Sequence, residues 1–375
     1  MTDNSLLHVG RPNLGDCEKF LSRVTDILDR RWLSNNGPVV QEFEKKISEI
    51  LDVKHALAMC NATAAIEIAA RALGMQGEVI VPSYTFIATA HALQWQGITP
   101  VFADMDPATH NMDPAKIEAL ITPRTTGIVG VHVWGRACDT EAIESIAAKR
   151  KLKVMYDASH GFGCSTSGRM LGGFGSCEVF SFHATKFINC FEGGVVATND
   201  ENLACQMRMM TNFGFTGYDR VEYLGINGKM NEICAAMGLT NLEAMDEIVA
   251  VNRRNYLTYC DELKAVPGIS MVHYDPAERN NYQYVAIEVD PDACHRNRDE
   301  IVDALHAENI IARKYFWPGC HGMEPYRTTQ PHAWKQLPET ERVAARVIVL
   351  PTGQAVNEET VQRVCEIIRH AAMTR

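Results

Sequence analysis

Residues 181–194 read Ser-Phe-His-Ala-Thr-Lys-Phe-Ile-Asn-Cys-Phe-Glu-Gly-Gly. The stretch sets one lysine, Lys186, just after an apolar strand-like run (Glu178–Phe182) and ahead of a turn-forming Gly193-Gly194 pair, where its amine can point into a cleft. An amine held there can condense with an aldehyde to form a Schiff base. Earlier in the chain, Lys153-Val-Met-Tyr-Asp157 has the same form, an apolar strand that ends on a chemically useful side chain, and Ala-Ser-His160 follows it. A lysine taken alone is most often a surface residue. A carboxylate at a neighbouring strand end changes that reading.

The surrounding pattern fixes the fold class. Short β-rich runs alternate with helical patterns at Ala56–Cys60, Glu78–Pro82, Pro100–Asp104, Gly127–Val133, Lys153–Asp157, Glu178–Phe182 and Gly194–Thr198. Ala64–Leu73 and Thr140–Lys149 carry helical periodicity without internal proline. The alternation predicts an α/β fold with a mainly parallel seven-stranded sheet covered by helices on both faces. Ligands in such sheets bind beyond the carboxyl ends of the strands. Cys60, Asp157 and Phe182 all stand at such ends, so the residues after them are expected to converge.

Beyond a helix at Met230–Met245, the segment Ile248–Leu263 reads as a long connecting helix closed by Pro267-Gly268. Strand-like runs at Gln283–Val289 and Ile310–Tyr315 then flank a helix at Arg298–Glu308, and Glu358–Ala372 is the last helix. This predicts two domains: a large α/β domain with an N-terminal arm over 1–246, then a linker helix and smaller α+β domain over 247–375. Trp317–Arg327, rich in proline and glycine, is expected as a ligand-contacting loop.

With 375 residues and 46% hydrophobic content, the chain can bury a large core. Its net charge of -10 and pI near 5.7 argue against a nucleic-acid surface or a polybasic membrane anchor. No basic, apolar leader opens the sequence and no stretch approaches ~18 uninterrupted apolar residues, which predicts a cytoplasmic protein. The 12 cysteines are scattered and no two are three apart, so reduced thiols are expected, and no metal site. Cys294-His295 and Cys320-His321 lack ligand spacing. The sequence also holds no phosphate loop of the Gly-x-x-x-x-Gly-Lys type, no dinucleotide fingerprint, no His-Glu-x-x-His and no nucleophile elbow.

A pyridoxal phosphate site needs an amine for the aldehyde, a carboxylate facing the pyridine nitrogen, donors for the phosphate, and a flat group against the ring. Lys186 offers the amine and Asp157 the carboxylate, where the bland alternative is a loop or capping carboxylate. His160 can donate to the phenolic oxygen of the ring as a neutral imidazole with one tautomer; a structural histidine is its alternative. Asn61-Ala62-Thr63-Ala64 joins a strand to a helix and offers N–H groups for the phosphate, although such junctions are also common caps. Ser181 adds a hydroxyl. In Pro82-Ser83-Tyr84-Thr85-Phe86, either Phe86 or Tyr84 is placed to lie on the ring.

These motifs resemble the DegT/DnrJ/EryC1/StrS group of nucleotide-sugar aminotransferases. Asp157-Ala-Ser-His160, Ser181-Phe-His-Ala-Thr-Lys186 and Glu192-Gly-Gly194 match it in order and spacing. The likeness extends over nearly the whole chain, through Trp32-Leu-Ser-Asn-Asn-Gly-Pro38, Val131-His-Val-Trp-Gly135, Asn227-Gly-Lys-Met-Asn-Glu232 and Tyr315-Phe-Trp-Pro-Gly-Cys-His321. The resemblance implies a fold type I pyridoxal phosphate enzyme, a homodimer with sites at the subunit interface, and L-glutamate as amino donor. It implies Lys186 as the catalytic lysine, Asp157 on the ring nitrogen, Ala62, Thr63 and Ser181 on the phosphate with Asn227 of the other subunit, and Phe86 on the ring. Tyr315 and His321 are expected at the sugar, and Arg313, Lys229 or Arg327 at the diphosphate.

Two positions depart from the usual pattern: Ala62 stands where most members carry glycine, and His160 where most carry glutamine. Both resemble the desosamine-type subgroup, as do Cys60-Asn-Ala-Thr63, Trp134-Gly-Arg-Ala-Cys138 and Asn189-Cys-Phe-Glu192. That subgroup aminates C4 of dTDP-4-keto-6-deoxy-D-glucose, so a ping-pong transamination of this sugar is the expected activity. The rivals are a 3-keto-sugar aminotransferase, a non-catalytic binder of pyridoxal phosphate or a nucleotide sugar, and a sugar dehydratase. Dehydratase members replace the lysine with histidine, and Lys186 is present.

Overall fold

The computed structural model describes residues 6–374; the outermost parts of the two expected domains, residues 1–5 and 375, lie outside the described residues. Ahead of the large sheet lie two helices not expected from the sequence pattern, α1 (Cys17–Arg30) and α2 (Pro38–Leu51). Each has a clear start signal. Asp16 accepts the N–H groups of Glu18 and Lys19, and Pro38 follows Gly37 at the first helical position, where a missing N–H costs nothing.

Alternating elements then follow: β1 (His55–Met59), α3 (Ala62–Ala72), β2 (Glu78–Pro82), α4 (Ile87–Gln94), β3 (Thr99–Ala103), β4 (Thr125–Val131), α5 (Thr140–Arg150), β5 (Lys153–Asp157), β6 (Glu178–Ser181) and β7 (Gly194–Thr198). The seven strands form one sheet in the order β1-β7-β6-β5-β4-β2-β3. Only β7 runs antiparallel, to both β1 and β6, so β1, β5 and β6 end on the same edge. The expected strands are found within one or two residues.

The sheet is held from both sides because successive side chains of a strand point to opposite faces. Leu57, Val79, Val81, Val129, Met155, Val179 and Val196 join one core with α3 and α4. Their neighbours Ala56, Ala58, Phe180, Val195 and Ala197 pack on the other face against α2, and Ile80, Ile128, Val154 and Tyr156 against α5. Each fully buried valine, leucine, isoleucine, phenylalanine or methionine among them contributes roughly 1.5–3 kcal/mol relative to exposure.

After α6 (Glu201–Met210) and α7 (Glu232–Glu243), the 19-residue α8 (Met245–Leu263) leads to β8 (Ile269–Met271), β9 (Val285–Val289), α9 (Arg298–Ala307), α10 (Pro338–Ala344), β10 (Val347–Leu350) and α11 (Glu358–Met373). The strands make an antiparallel sheet in the order β8-β9-β10, with a core of its own that includes Tyr259, Ile287, Leu305, Val364 and Ile368. The expected strand Ile310–Tyr315 shrinks to Ile310–Ile311, which pairs in parallel with Leu7–His8. Its place beside β9 is taken by Val347–Leu350, a four-residue apolar run that follows α10 after two residues with no turn signal between them. Arg313 touches that strand through a single bridge to Val349, and the chain then turns away through Tyr315–Gly319 toward the sheet edge.

Candidate active site

The carboxyl edge of the large sheet faces the start of β9 and the Arg313–Phe316 segment across a cavity of about 410 Å³. Ala62, Thr63, Phe86, Asp157, His160, Ser181, Lys186, Arg313 and Tyr315 all line it.

Lys186 gets its direction from a tight turn. Its N–H donates to the carbonyl of His183 at 2.8 Å, the His183 ring is bonded to Thr185 Oγ1 at 2.9 Å, and the next N–H, of Phe187, donates to Gln283 Oε1 at 3.1 Å. The amine donates to the hydroxyl of Tyr284 at 3.1 Å. Loss of hydration in this setting holds the amine down to about 8, against a smaller opposing pull from Asp157 and Tyr315.

Asp157 is buried. Its Oδ2 accepts from Thr89 Oγ1 at 2.7 Å and its Oδ1 from the N–H of Ser159 at 3.0 Å. His160 is buried too, and burial together with the Lys186 charge holds its imidazole well below the usual histidine value. The N–H of Trp134 donates to its Nδ1 at 3.2 Å. A neutral ring that accepts at Nδ1 carries its proton on Nε2, which is the single tautomer that donation to a phenolic oxygen needs. Trp134 and Phe316 stack within 16° and 13° of the His160 plane, and Tyr284 closes from the side at 4.4 Å between centroids.

The phosphate end is built at the start of α3. Asn61 caps that helix by accepting the N–H of Ala64 at 2.8 Å, while the N–H groups of Ala62 and Thr63, first in the helix, have no carbonyl behind them. Ala62 is helical and is absent from the positive-φ residues, so replacing glycine there strains nothing. Gly193-Gly194 does not form the expected turn. Gly194 opens β7, paired with Met59 and Ser181, and a Cβ on it would lie 2.5 Å from the Asn61 carbonyl and 2.6 Å from the Ala62 nitrogen. Glycine is required there for close approach of the helix start, and the positive φ falls on Phe191 at 60°.

The remaining candidates are dispersed. Asn227 is exposed and does not line the cavity. The Lys229 amine is bonded to Asn212 Oδ1 at 2.9 Å and lies over the Phe213 ring. Arg327 pairs with Glu324. Tyr84 is buried core and donates to the Tyr315 carbonyl at 2.8 Å, whereas Phe86 stands 56% exposed at the rim. His321 is buried behind the rim, between Ser83 Oγ at 2.6 Å and Glu341 Oε1 at 2.5 Å. Sequence reasoning missed Tyr284, Thr89 and the backbone role of Trp134. A tyrosine opening a strand and a threonine in a helix give no signal of their own.

The donor set fits pyridoxal phosphate: an amine of lowered basicity, a buried carboxylate, a neutral imidazole, and a helix start that only glycine at position 194 lets in. The model of the DegT/DnrJ/EryC1/StrS aminotransferase family matches residues 16–369, and the chain belongs to that family. It is 37% identical over 363 residues, 97% of this chain and 98% of the relative, to dTDP-4-amino-4,6-dideoxy-D-glucose transaminase of Shigella dysenteriae. The Escherichia coli transaminase of the same name is 36% identical over 370 residues, 98% of this chain and 99% of that protein. Among solved structures, DesI in the presence of its TDP-sugar product superposes with a TM-score of 0.95 at 48% identity, covering 99% of this chain and 94% of DesI. The chain is an α/β enzyme with the fold and the cofactor class of pyridoxal phosphate-dependent aminotransferases.

Proposed function

We propose that this aminotransferase family member converts dTDP-4-dehydro-6-deoxy-D-glucose to dTDP-4-amino-4,6-dideoxy-D-glucose with L-glutamate as amino donor. The observation that carries the reading is the Lys186 amine, placed with Asp157, His160 and the α3 start on one sheet edge, in a chain so similar to transaminases named for this sugar.

Pyridoxal phosphate bound here supplies the aldehyde and the electron-withdrawing ring through which an amino group passes from donor to keto sugar. Lys186 holds it and, when released, takes and returns the proton at the carbon that changes partners; an amine held down to about 8 keeps a far larger unprotonated fraction near neutral pH than an ordinary lysine. Asp157 pairs with the ring nitrogen in its protonated form, and His160 Nε2 donates to the phenolic oxygen. Ala62, Thr63 and Ser181 hold the phosphate, and Phe86 covers the ring. Arg313 and Tyr315 face the sugar nucleotide from the small-sheet side.

The working unit is a homodimer in which Asn227 of the partner subunit completes the phosphate site. The support is a set of exposed apolar residues on segments joined to the stretch around Asn227: Phe213, whose N–H donates to the Ile226 carbonyl, Phe215 and Leu224, with Trp32 and Leu33, whose carbonyl accepts the Glu232 N–H. The division at 246/247, with a linker helix and small domain after it, is supported by the separate core around β8-β9-β10. A cytoplasmic location suits twelve cysteines that form no disulfide; no helix among the described residues is long and apolar enough to cross a membrane.

The test is to incubate the protein with glutamate and a panel of 4-keto and 3-keto nucleotide sugars and identify the product by mass and NMR. A C4 amine on the dTDP sugar is expected. A C3 amine, or no amine with any sugar, overturns the assignment. Sedimentation at micromolar concentration should give a dimer, and a monomer that is fully active would remove the shared site.

A further inference from the structure

The half-turn that starts α4 carries Thr85, Phe86 and Thr89. Thr85 and Thr89 are four residues apart, their hydroxyls are 3.0 Å apart, and both are buried at 2% and 0% exposure. A threonine in a first helical turn often returns its hydroxyl to a backbone carbonyl. Thr89 does not. Its hydroxyl lies 2.7 Å from Asp157 Oδ2, in another strand of the sheet.

Each hydroxyl has one proton, and a carboxylate only accepts. Thr89 therefore donates to ionised Asp157, and its own oxygen is left to accept from Thr85. The chain runs one way, from Thr85 to Thr89 to Asp157, and the Ser159 N–H satisfies the other carboxylate oxygen at 3.0 Å. Two donors on different oxygens fix the plane of a buried carboxylate. The same half-turn presents Phe86, whose carbonyl accepts the Thr89 N–H at 3.2 Å. One helix start thus sets both the aromatic over the cofactor ring and the acid beside its nitrogen.

We propose that Thr89 is a positioning residue of this site, with Thr85 donating to it in turn: it holds the Asp157 carboxylate in the orientation that lets it pair with the protonated ring nitrogen of the cofactor. The inference rests on the pyridoxal phosphate reading above. Thr89 is not among the residues that line the cavity.

Thr89→Val keeps the shape and removes the hydroxyl, and Thr89→Ser keeps the hydroxyl and removes the methyl. In purified holoenzyme, cofactor dissociation, the pH titration of the bound cofactor's absorbance, and kcat and KM for glutamate separate the possibilities. Thr89→Val is expected to lower kcat and cofactor affinity about ten- to hundredfold, the size of a lost hydrogen bond to a charged group. It should shift the absorbance titration and leave KM for glutamate within about twofold, with Thr89→Ser near wild type. Wild-type titration, affinity and kcat in Thr89→Val, beside a damaged Asp157→Asn, overturn the inference alone, as does an equal loss in Thr89→Ser. A wild-type protein that binds no pyridoxal phosphate, or a Lys186→Ala variant with an unchanged cofactor spectrum, overturns the underlying reading instead.

Discussion

The amine of Lys186 lies 3.1 Å from the phenol oxygen of Tyr284, a residue 98 positions further along the chain that stands beside a different sheet. The lysine comes from the turn after β6 and the tyrosine from the entry to β9, so the amine is held only when the two sheets are docked. Tyr284 also packs against the ring of His160, which makes it a joint between the two groups expected on either side of the cofactor ring.

Tyr284→Phe removes the hydroxyl and leaves the ring. A lost hydrogen bond of about 0.5–1.5 kcal/mol corresponds to roughly a two- to tenfold fall in kcat, with cofactor retained. Steady-state kinetics and the absorbance of the bound cofactor check it; unchanged kcat would mean that the phenol does not hold the amine in the working state.

Lys186→Ala and Lys186→Arg should abolish turnover. Neither variant offers a primary amine of lowered basicity, and among the described residues no other lysine lines the cavity. Amination measured at normal rates in either variant would refute the assignment of Lys186.

The lowered basicity of Lys186 has a pH signature. In cofactor-free protein the amine is charged in both folded and unfolded chains below about 8, where its burial counts against folding; between about 8 and 10.5 the folded amine is neutral while the unfolded one is still charged, so folding gains as pH rises. The stability gap to Lys186→Ala in urea titrations should shift in favour of the wild type across that window. Capture of pyridoxal phosphate should rise with a midpoint near 8, and a midpoint near 10.5 would mean an ordinary exposed lysine.

Gly194→Ala places a Cβ 2.5 Å from the Asn61 carbonyl, where only backbone can yield. A loss of about 1–3 kcal/mol in unfolding free energy is expected. Because the strain falls on the α3 start, cofactor affinity should fall as well. Equilibrium unfolding and cofactor titration measure the two, and wild-type values in both would show that the helix start has room to move.

The sheet was legible because each buried strand is a short apolar run bounded by turns, and all seven runs pair in one sheet. Lys186, Asp157, His160, Ser181, Phe86 and the Asn61–Thr63 junction were legible because each follows such a run within a few residues, and a parallel sheet brings those ends to one edge. The third strand of the small sheet was not legible. Val347-Ile-Val-Leu350 follows α10 after only Ala345-Arg346, with no glycine or proline to mark a boundary, and a short apolar run is by itself apolar in strand and helix alike. A histidine in a proline- and glycine-rich loop reads as a ligand contact, and the contacts that folding gives His321 are Ser83 and Glu341.

The sequence by itself determined the alternation of strand and helix, the edge on which the site lies, and the amine, acid and imidazole that reach it, because these follow from local periodicity and from which residue ends each strand. Only the tertiary structure decided what those groups touch. Tyr284 meets Lys186, Thr89 meets Asp157, and the Trp134 N–H fixes the His160 tautomer across 98, 68 and 26 residues of chain. Hydrogen bonds of such separation depend on how sheets and helix starts dock, and local pattern does not encode that docking.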